Sequence, residues 1–346
     1  MSDEQICRQL LWASLRSTVR PCSNSTPHQP RSDGKVQRAT VHPGQLSVGT
    51  HGLVGWDSGR PVWTEALLAA LDRRLEQGQS VSPPDYPHAA EDVLLALTQA
   101  GALGVTQPRT AVWSSISPWL ESALLRNGVA RRVLTVDYNA PRIDARGDRL
   151  MAMELGQACS HYCSRGSAFD LIVSFSGIEH DGLGRYHDPL DPDGDLAAMR
   201  EVWLQLRPGG VLLLGVPTSD TDATIVNGHR LYGPTRLPLL IRDFELVARV
   251  WDGHVVRGGL ERANETPTLW YRRTGRVMRR GFAPRGDWGR SRHPGGEYWD
   301  WQHQPVLVLR KPKRRAAEML PGWVAKWSAA VQEGRCKQMP DWHVRP

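Results

Sequence analysis

Two patterns of apolar residues follow one another along the chain. In 63–78 and 86–104 the apolar positions recur every three to four residues, which predicts two amphipathic helices, each closed by a glycine. From Thr110 the pattern changes to short Val/Leu/Ile runs, which are typical of strands buried on both faces of a parallel sheet. These runs are 110–115, 131–137, 169–175, 209–217, 244–251 and 305–311, with helices predicted over 117–127, 195–206 and the RLPLLIRD segment.

Strands that alternate with helices in this way predict a doubly wound α/β domain. The Ser-, Pro-, Gly- and Arg-rich start of the chain shows no sustained period and is expected to be a flexible leader. The expected organisation is a leader over 1–60, N-terminal helices that pack on the core over 61–108, a main domain over 109–313 with a basic insertion over 252–304, and a C-terminal tail over 314–346.

Charge and cysteine content narrow the functional classes. Residues 251–346 carry 19 Lys and Arg against 9 Asp and Glu, within a chain of net charge +7, which predicts at most weak, sequence-independent attraction to polyanions. No apolar run reaches the roughly 18 residues of a membrane span, and the acidic N-terminus lacks a secretory signal, so a cytoplasmic protein is expected, with organelle targeting left open. Five scattered cysteines indicate reduced thiols, and CSHYC at 159–163 has no second ligand cluster, so no metal is predicted.

Polar residues follow the ends of the predicted strands, where ligands bind in open α/β sheets. Asp137 ends its strand about 22 residues after Ser115, a spacing at which an acid accepts hydrogen bonds from ribose hydroxyls. Capping of its own turn is an equally weighted alternative. The first strand is followed by Ser114–Ser117 without a glycine, which weakens any dinucleotide prediction, because a pyrophosphate needs close backbone approach. Ser117 and Pro118 are expected at the N-cap and first position of the next helix.

The segment SFSGIEHDGLGRYHDPLDPDGD, residues 174–195, is expected to deliver polar side chains to the sheet edge and then turn away. Gly182 and Gly184 permit backbone angles that other residues avoid, Pro189 and Pro192 stiffen the loop, and an aspartate can cap the following helix. Asp193 and Asp195 are the candidates for that cap. Most of the aspartates are therefore interpreted as turn formers rather than as substrate contacts.

Several long motifs carry a resemblance: FDLIVSFSGIEHDGLGRYHDPLDPDGDLAAM, LRPGGVLLLGVP, NGHRLYGPTRLPLL and QPVLVLRKP. Over about 110–313 the chain resembles the uncharacterised domain-of-unknown-function 268 family, whose members resemble class I S-adenosylmethionine-dependent methyltransferases. The resemblance implies a Rossmann-like, mostly parallel, seven-stranded sheet with an antiparallel last strand. It also implies that Asp137 falls on the ribose-binding position and that Glu179-His180 matches a Glu-His pair after the fourth strand.

From these motifs we predict a site with three parts. His180 is the candidate base, with Glu179 or Asp181 to orient it, although a histidine bonded to backbone at a sharp turn is the alternative. Arg230 and Arg236 would pair with a substrate anion or else tie their loop to the aspartates. The predicted cofactor-binding residues are Ser114, Ser115, Ser117, Asp137, Tyr138 and Ser176. The predicted substrate-binding residues are Arg185, Tyr186, His229, Arg230, Tyr232 and Arg236.

Three functions remain as hypotheses. The first is an S-adenosylmethionine-dependent methyltransferase acting on a small-molecule or glycan-like hydroxyl. The second is a methyltransferase-fold binding or scaffold protein without activity, which the missing glycines favour. Nucleic-acid modification is supported by the basic C-terminal portion alone, and the sequence lacks the aromatic and basic interleaving of an RNA-binding motif.

Overall fold

The structure is a computed structural model. It describes residues 46–47, 60–101, 104, 107–145, 147–163, 168–186, 188, 190–218, 222–224, 228–233, 235–257, 291–292, 298–299 and 304–313. Most of the expected leader and insertion, all of the expected tail and Pro189 lie outside these residues. Among the residues described, no helix is long and apolar enough to cross a membrane.

Helices and strands alternate along the main part of the chain. The helices are α1 (Glu65–Glu76), α2 (Ala89–Gly101), α3 (Trp119–Arg126), α4 (Leu155–Cys163), α5 (Gly194–Gln205) and α6 (Arg236–Ile241). The strands are β1 (Leu46–Ser47), β2 (Val62–Thr64), β3 (Thr110–Trp113), β4 (Val133–Asp137), β5 (Arg142–Asp144), β6 (Leu150–Glu154), β7 (Phe169–Phe175), β8 (Leu206–Gly215), β9 (Ala223–Thr224), β10 (Arg230–Leu231), β11 (Glu245–Trp251), β12 (His254–Arg257), β13 (Ser291–Arg292), β14 (Tyr298–Trp299) and β15 (Val306–Arg310).

One eight-stranded sheet organises the fold, in the order β12-β11-β15-β8-β7-β3-β4-β6. The five strands from β8 to β6 pair in parallel, whereas β15 runs antiparallel to both of its neighbours. This is the Rossmann-like sheet with an antiparallel last strand that the sequence predicts. The eighth strand, β12, was not expected, because it lies in the predicted insertion and pairs with β11 through a tight hairpin.

The core lies on both faces of this sheet. On one face β-strand residues such as Ile172 and Leu212 pack with Met199 and Val202 of α5 and with Leu240 of α6. On the other face a second cluster joins the sheet to α1, α2 and α3. The apolar runs are buried on both faces because alternate side chains of each strand contribute to each cluster.

Three differences from the predicted elements are more than a change in the length of a strand or helix. Trp63 begins no helix; it lies in β2, and its indole nitrogen donates to the carbonyl of Ile116 at 2.9 Å. Helix α3 begins at Trp119 with Pro118 as its N-cap and no side-chain cap, so the expected N-cap at Ser117 is wrong by one residue. Strand β6 and helix α4 are additional, since the half-exposed LMAME segment shows no continuous apolar run.

Candidate functional site

The sheet reverses its order at β3, since β4 lies on one side of this strand and β7 on the other. A ligand crevice is expected outside the carboxyl ends of the strands at such a switch point. Ser114 and Ser176, which follow β3 and β7, both have left-handed backbone angles, with φ of 59° and 52°. A Cβ on Gly177 would lie 2.5 Å from the Ser114 Cβ, so the two strand ends meet closely and Gly177 is required there.

The segment 114–117 is called here the first-strand turn. In it Ser114 adopts the left-handed backbone angle that glycine normally adopts. The Ser114 amide donates to the Val136 carbonyl at 2.8 Å, which fixes the turn against β4. Ser115 is buried, whereas Ser117 is exposed. Behind the turn, the fully buried Glu121 of α3 lies within hydrogen-bond distance of Ser115 and Thr135.

Asp137 lies at the end of β4, beside this turn. Its carboxylate accepts a hydrogen bond from the Asn139 amide at 2.7 Å, which is the turn-capping contact considered from the sequence. Burial raises the pKa of Asp137 to about 6, and the charge of Asp188 adds to the shift. The next side chain, Tyr138, is 44% exposed. Asp137 therefore has two features: it caps its own turn through the Asn139 amide, and it places a partly buried carboxyl group at the switch point.

Glu179 is the most unusual side chain of the site. It follows β7 in a short 3₁₀ turn (Ile178–His180), and it is fully buried. Neither carboxyl oxygen has a hydrogen-bond partner among the described residues. Burial raises the pKa of Glu179 to about 7. A buried acid without donors costs free energy, so its retention calls for an explanation such as a ligand donor.

His180 is held by a single strong contact. Its Nδ1 lies 2.6 Å from the Gly228 carbonyl oxygen, an acceptor, so Nδ1 carries the proton and Nε2 is left as the acceptor. Nε2 lies 3.7 Å from Oε1 of Glu179. Burial lowers the pKa of His180, and the positive charge of Arg185 lowers it further, so the ring is neutral at neutral pH.

Aromatic and hydroxyl groups from distant parts of the chain surround Ser176. The Tyr86 hydroxyl lies 2.9 Å from the Ser176 hydroxyl, and the Gln304 amide nitrogen donates to both, at 3.1 Å and 3.3 Å. The Tyr86 ring packs edge-on against Phe175, with centroids 5.3 Å apart. The segment before α2 and the segment before β15 thus meet at the end of β7.

The loop 181–195, called here the aspartate loop, is organised by its own carboxylates. Asp188 accepts hydrogen bonds from the amides of Gly182, Gly184 and Tyr186 at 2.7, 3.1 and 3.1 Å. Gly182 has φ of 82°, and a Cβ there would lie 2.1 Å from the Asp191 carbonyl oxygen. The sequence expectations that aspartates form the turn and that glycines supply its unusual angles are confirmed. Asp193 is the N-cap residue of α5 but makes no side-chain cap bond.

Two predicted substrate-binding arginines contact the chain itself. The fully buried Arg230 donates from Nη1 to the Asp181 carbonyl at 2.6 Å and from Nη2 to the carbonyls of Asp191 and Pro192 at 3.2 Å. Arg236 binds both carboxyl oxygens of Asp195, at 2.9 and 2.5 Å. These contacts favour the alternative in which the arginines hold the aspartate loop.

Tyr232, another predicted substrate contact, is fully buried, and its hydroxyl donates to Asp195 at 3.0 Å. The remaining predicted substrate residues lie around His180. Its ring meets those of Tyr186 and His229 edge-on, with centroids 5.4 and 6.1 Å away. Arg185 donates to the Gly228 carbonyl at 3.3 Å and lies over the Tyr186 ring. The predicted substrate residues therefore fall into two groups. One group surrounds His180: Arg185, Tyr186 and His229. The other group makes hydrogen bonds within the protein to the aspartate loop: Arg230, Tyr232 and Arg236.

Sequence reasoning missed three polar residues of the site: Tyr86, Glu121 and Gln304. Gln304 begins the QPVLVLRKP motif but was given no role in the site. Tyr86 and Gln304 reach Ser176 from 90 and 128 residues away, whereas Glu121 lies six residues after Ser115. A glutamate within the apolar pattern of α3 was the one visible signal, because an acid on a buried helix face needs a partner. Among the described residues no group of three His, Cys, Asp or Glu side chains is arranged to hold a metal ion.

The chain is similar to one protein family and to several solved structures. Residues 108–267 match the model of a family described as "Caenorhabditis protein of unknown function, DUF268". No curated protein matches the chain in sequence. Among solved structures, similar chains include a Burkholderia thailandensis 1,6-didemethyltoxoflavin-N1-methyltransferase bound to its substrate and S-adenosylhomocysteine; it is 15% identical, has a TM-score of 0.36, and the match covers 74% of this chain and 93% of that one.

Two further solved structures are similar to the same extent. The N-methyltransferase NodS from Bradyrhizobium japonicum WM9, in complex with S-adenosylhomocysteine, is 15% identical with a TM-score of 0.33, over 71% of this chain and 98% of that one. A putative sarcosine dimethylglycine methyltransferase from Galdieria sulphuraria is 11% identical with a TM-score of 0.36, over 75% and 94%. At these scores the likenesses add nothing to the strand order, which by itself defines the fold.

The strand order, the antiparallel β15 and the polar strand ends at the switch point define a Rossmann-like, methyltransferase-like α/β domain. The match of residues 108–267 to the DUF268 family model agrees with the resemblance that the sequence motifs carry. The family match ends before β15, so the sheet is completed by residues beyond it.

Proposed function

We propose that this protein is an S-adenosylmethionine-dependent methyltransferase that acts on a hydroxyl group of a small-molecule or glycan-like acceptor. The observation that supports it most is Glu179, whose buried carboxyl group has no donor among the described residues and lies beside the acceptor nitrogen of His180. Two hydrogen-bond acceptors that face one another at a switch point suit a ligand that brings a donor, as a hydroxyl does.

The residues at the end of β4 fit the cofactor. A carboxylate at Asp137 suits the two ribose hydroxyls, and the first-strand turn offers Ser114 and Ser115 beside it. When bound, S-adenosylmethionine supplies a methyl group already activated by the sulfonium charge. The protein then has to align the acceptor and to accept a proton.

Glu179 and His180 have different roles in the proposed proton transfer. The Nδ1 proton of His180 is committed to the Gly228 carbonyl, so the ring is fixed and presents Nε2. Burial raises the pKa of Glu179 to about 7, although the Ser176 hydroxyl, nearby backbone amides and the charge of Arg185 act in the opposite direction, so Glu179 can take a proton near neutral pH. In this proposal the single hydroxyl proton of the acceptor passes to Glu179, and the neutral His180 ring lines the site beside that carboxyl group.

The test is calorimetric titration of the purified protein with S-adenosylmethionine and S-adenosylhomocysteine. A screen of hydroxyl compounds for formation of S-adenosylhomocysteine should follow. Binding in the micromolar range together with turnover of one compound class is the expected result. No binding at millimolar ligand would overturn the proposal.

A binding or scaffold protein without activity is the second candidate, and it is favoured by one feature. Ser114 stands, with its side chain, where a glycine would leave room for a cofactor. Tight binding of S-adenosylhomocysteine would decide against this candidate. Weak attraction to polyanions through 251–346 stays a prediction, because most of that segment lies outside the residues described.

A further inference from the structure

Glu121 lies beneath the first-strand turn and links it to the sheet. It belongs to α3, and its side chain is fully buried. The Thr135 hydroxyl, from the middle of β4, donates to its Oε1 at 2.7 Å. Its Oε2 lies 3.3 Å from the Ser115 hydroxyl oxygen, which in turn lies 3.1 Å from the Ser117 carbonyl. The turn, α3 and β4 thus meet at one carboxyl group.

The number of available protons decides the state of this carboxyl group. The Ser115 hydroxyl has one proton, but two acceptors lie in reach: the Ser117 carbonyl and Oε2 of Glu121. If Glu121 were ionised, one of these two contacts would lack a proton. If Glu121 is protonated, Oε2 donates to Ser115, Ser115 donates to Ser117, and Thr135 donates to Oε1. Only the protonated form completes every hydrogen bond in the chain.

We infer that Glu121 is a positioning residue whose bound proton completes this chain of hydrogen bonds and thereby locks the first-strand turn in the conformation that receives the cofactor. The identity of the cofactor rests on the proposed function. The hydrogen-bonded chain does not, since it is a property of the protein itself. In a glycine-rich turn, glycine adopts the left-handed conformation without strain. In this turn of serines, the hydrogen bonds of Glu121 hold that conformation instead.

The surroundings of Glu121 agree with a bound proton. Burial raises the pKa of Glu121 to about 7, and the negative charge of Asp137 on β4 adds to the shift. On the helices that pack on α3, Glu76 of α1 pairs with Arg126, and Asp92 of α2 accepts hydrogen bonds from backbone amides. Asp137 is therefore the charged group that acts on Glu121 among the described residues of these elements.

The test compares the parent with Glu121→Gln by titration with S-adenosylhomocysteine between pH 6 and pH 9. Glutamine donates to Ser115 and accepts from Thr135 at every pH, as the protonated glutamate does. The parent loses the locked turn as Glu121 ionises, so at pH 9 the variant is expected to bind about tenfold more tightly than the parent. At pH 6 the two affinities should converge. Identical pH profiles would overturn the inference.

Thr135→Val serves as a second variant, because Thr135 is buried within β4 and the hydrogen bond from its hydroxyl lowers the pKa of Glu121. Removing that hydroxyl should move the pH at which affinity is lost to a higher value. A residue that merely fills space would lower the melting temperature without moving this midpoint. An unmoved midpoint in a folded Thr135→Val protein therefore counts against the inference.

Infrared spectroscopy separates this inference from the proposed function. The difference spectrum of the parent minus Glu121→Gln should contain the C=O band of a protonated carboxyl group at pH 6, and the band should be lost by pH 9. If no protein binds the cofactor but the band is present, the proposed function fails and the proton on Glu121 stands. If the band is missing at pH 6, the inference fails whatever the binding data show.

Discussion

Glu179 and His180 differ in the completeness of their hydrogen bonds, and this difference decides which of them can take a proton. His180 has a fixed partner in the Gly228 carbonyl, whereas Glu179 has none among the residues described. Burial shifts both pKa values toward the neutral forms, which means upward for the glutamate and downward for the histidine. In the proposed function the glutamate is therefore the base of the pair, whereas the sequence pointed to the histidine.

Glu179→Gln should abolish turnover without loss of cofactor affinity. A positioned base contributes roughly 100- to 10,000-fold in rate, and glutamine keeps the shape of the side chain. His180→Gln should have a smaller effect on rate, because the neutral histidine lines the site and does not take the proton. Single-turnover formation of S-adenosylhomocysteine with a competent acceptor measures both. A larger loss in His180→Gln than in Glu179→Gln would return the role of base to His180.

The same substitution should change the dependence of stability on pH. The folded pKa of Glu179 is about 7, above its value in the unfolded chain, so ionisation costs stability as pH rises from about 4.5 to about 7. Glu179→Gln removes this cost and is expected to raise the free energy of unfolding by on the order of 2 kcal/mol at pH 8. At pH 4, where both states are protonated, the gain should vanish. Urea unfolding at the two pH values measures it, and an equal effect at both would show that Glu179 does not titrate.

A matched pair of variants can separate the two roles of Asp137, which are to cap its own turn and, in the proposed function, to bind the ribose hydroxyls. Asparagine at this position still accepts the hydrogen bond from the Asn139 amide, whereas alanine cannot. Both should weaken S-adenosylhomocysteine binding by at least about tenfold if the carboxylate binds ribose hydroxyls. Only Asp137→Ala should also lose stability, by about 1 kcal/mol. Full affinity in Asp137→Asn would leave Asp137 as a turn residue alone.

At the scale of elements, the aspartate loop is held from outside by β10 and α6. Arg230 on β10 binds three carbonyl groups of the loop at 2.6–3.2 Å and lies 3.6 Å from the carboxylate of Asp195, which Arg236 binds on its other side. Because Asp195 and Arg230 are fully buried, each depends on the other to offset the cost of desolvation. Arg230 therefore links the start of the loop, at Asp181, to its end, at Asp191 and Pro192.

Arg230→Met should destabilise the protein by about 3–5 kcal/mol, because it removes the donors of several carbonyls and leaves Asp195 with less compensation. Arg242→Met is the matched control, because Arg242 pairs with Asp243 on the surface and its side chain is 42% exposed. Such surface pairs contribute roughly 0–1 kcal/mol. Urea unfolding monitored by tryptophan fluorescence compares the two. A loss below about 1 kcal/mol in Arg230→Met would restore Arg230 as a candidate substrate contact.

Strands with a continuous run of buried apolar residues were predictable from the sequence, whereas strands with half-exposed side chains were not. Strand β7 was predicted to the residue, because FDLIVSF is buried almost throughout. Strand β6 was missed, because it lies at the sheet edge with its side chains half exposed. The site shows a related difference: Asp137 and Glu179 follow the carboxyl ends of predicted strands, whereas Tyr86 precedes a helix and Gln304 precedes a strand, and both reach Ser176 from at least 90 residues away.

At the scale of the whole molecule, the family match and the folded unit have different limits. The match covers residues 108–267, but β15 lies beyond it and pairs on one side with β8 and on the other with β11. Helices α1 and α2 lie before it and cover one face of the sheet. Asp92 of α2 also accepts hydrogen bonds from the amides of Asp252 and Gly253 in the β11–β12 turn at 2.8 Å.

A fragment of residues 108–267 should therefore fail to fold, whereas a fragment of residues 60–313 should unfold cooperatively. Without β15 the edges of β8 and β11 expose unpaired backbone groups and apolar side chains, which favours aggregation. Without α2, the apolar face that contains Val93 and Ala96 in the complete chain loses its cover. Circular dichroism melting and size-exclusion chromatography compare the two fragments. A monomeric 108–267 fragment with a cooperative melt would show that the family match is a complete domain and that Tyr86 and Gln304 were added to a site that can stand without them.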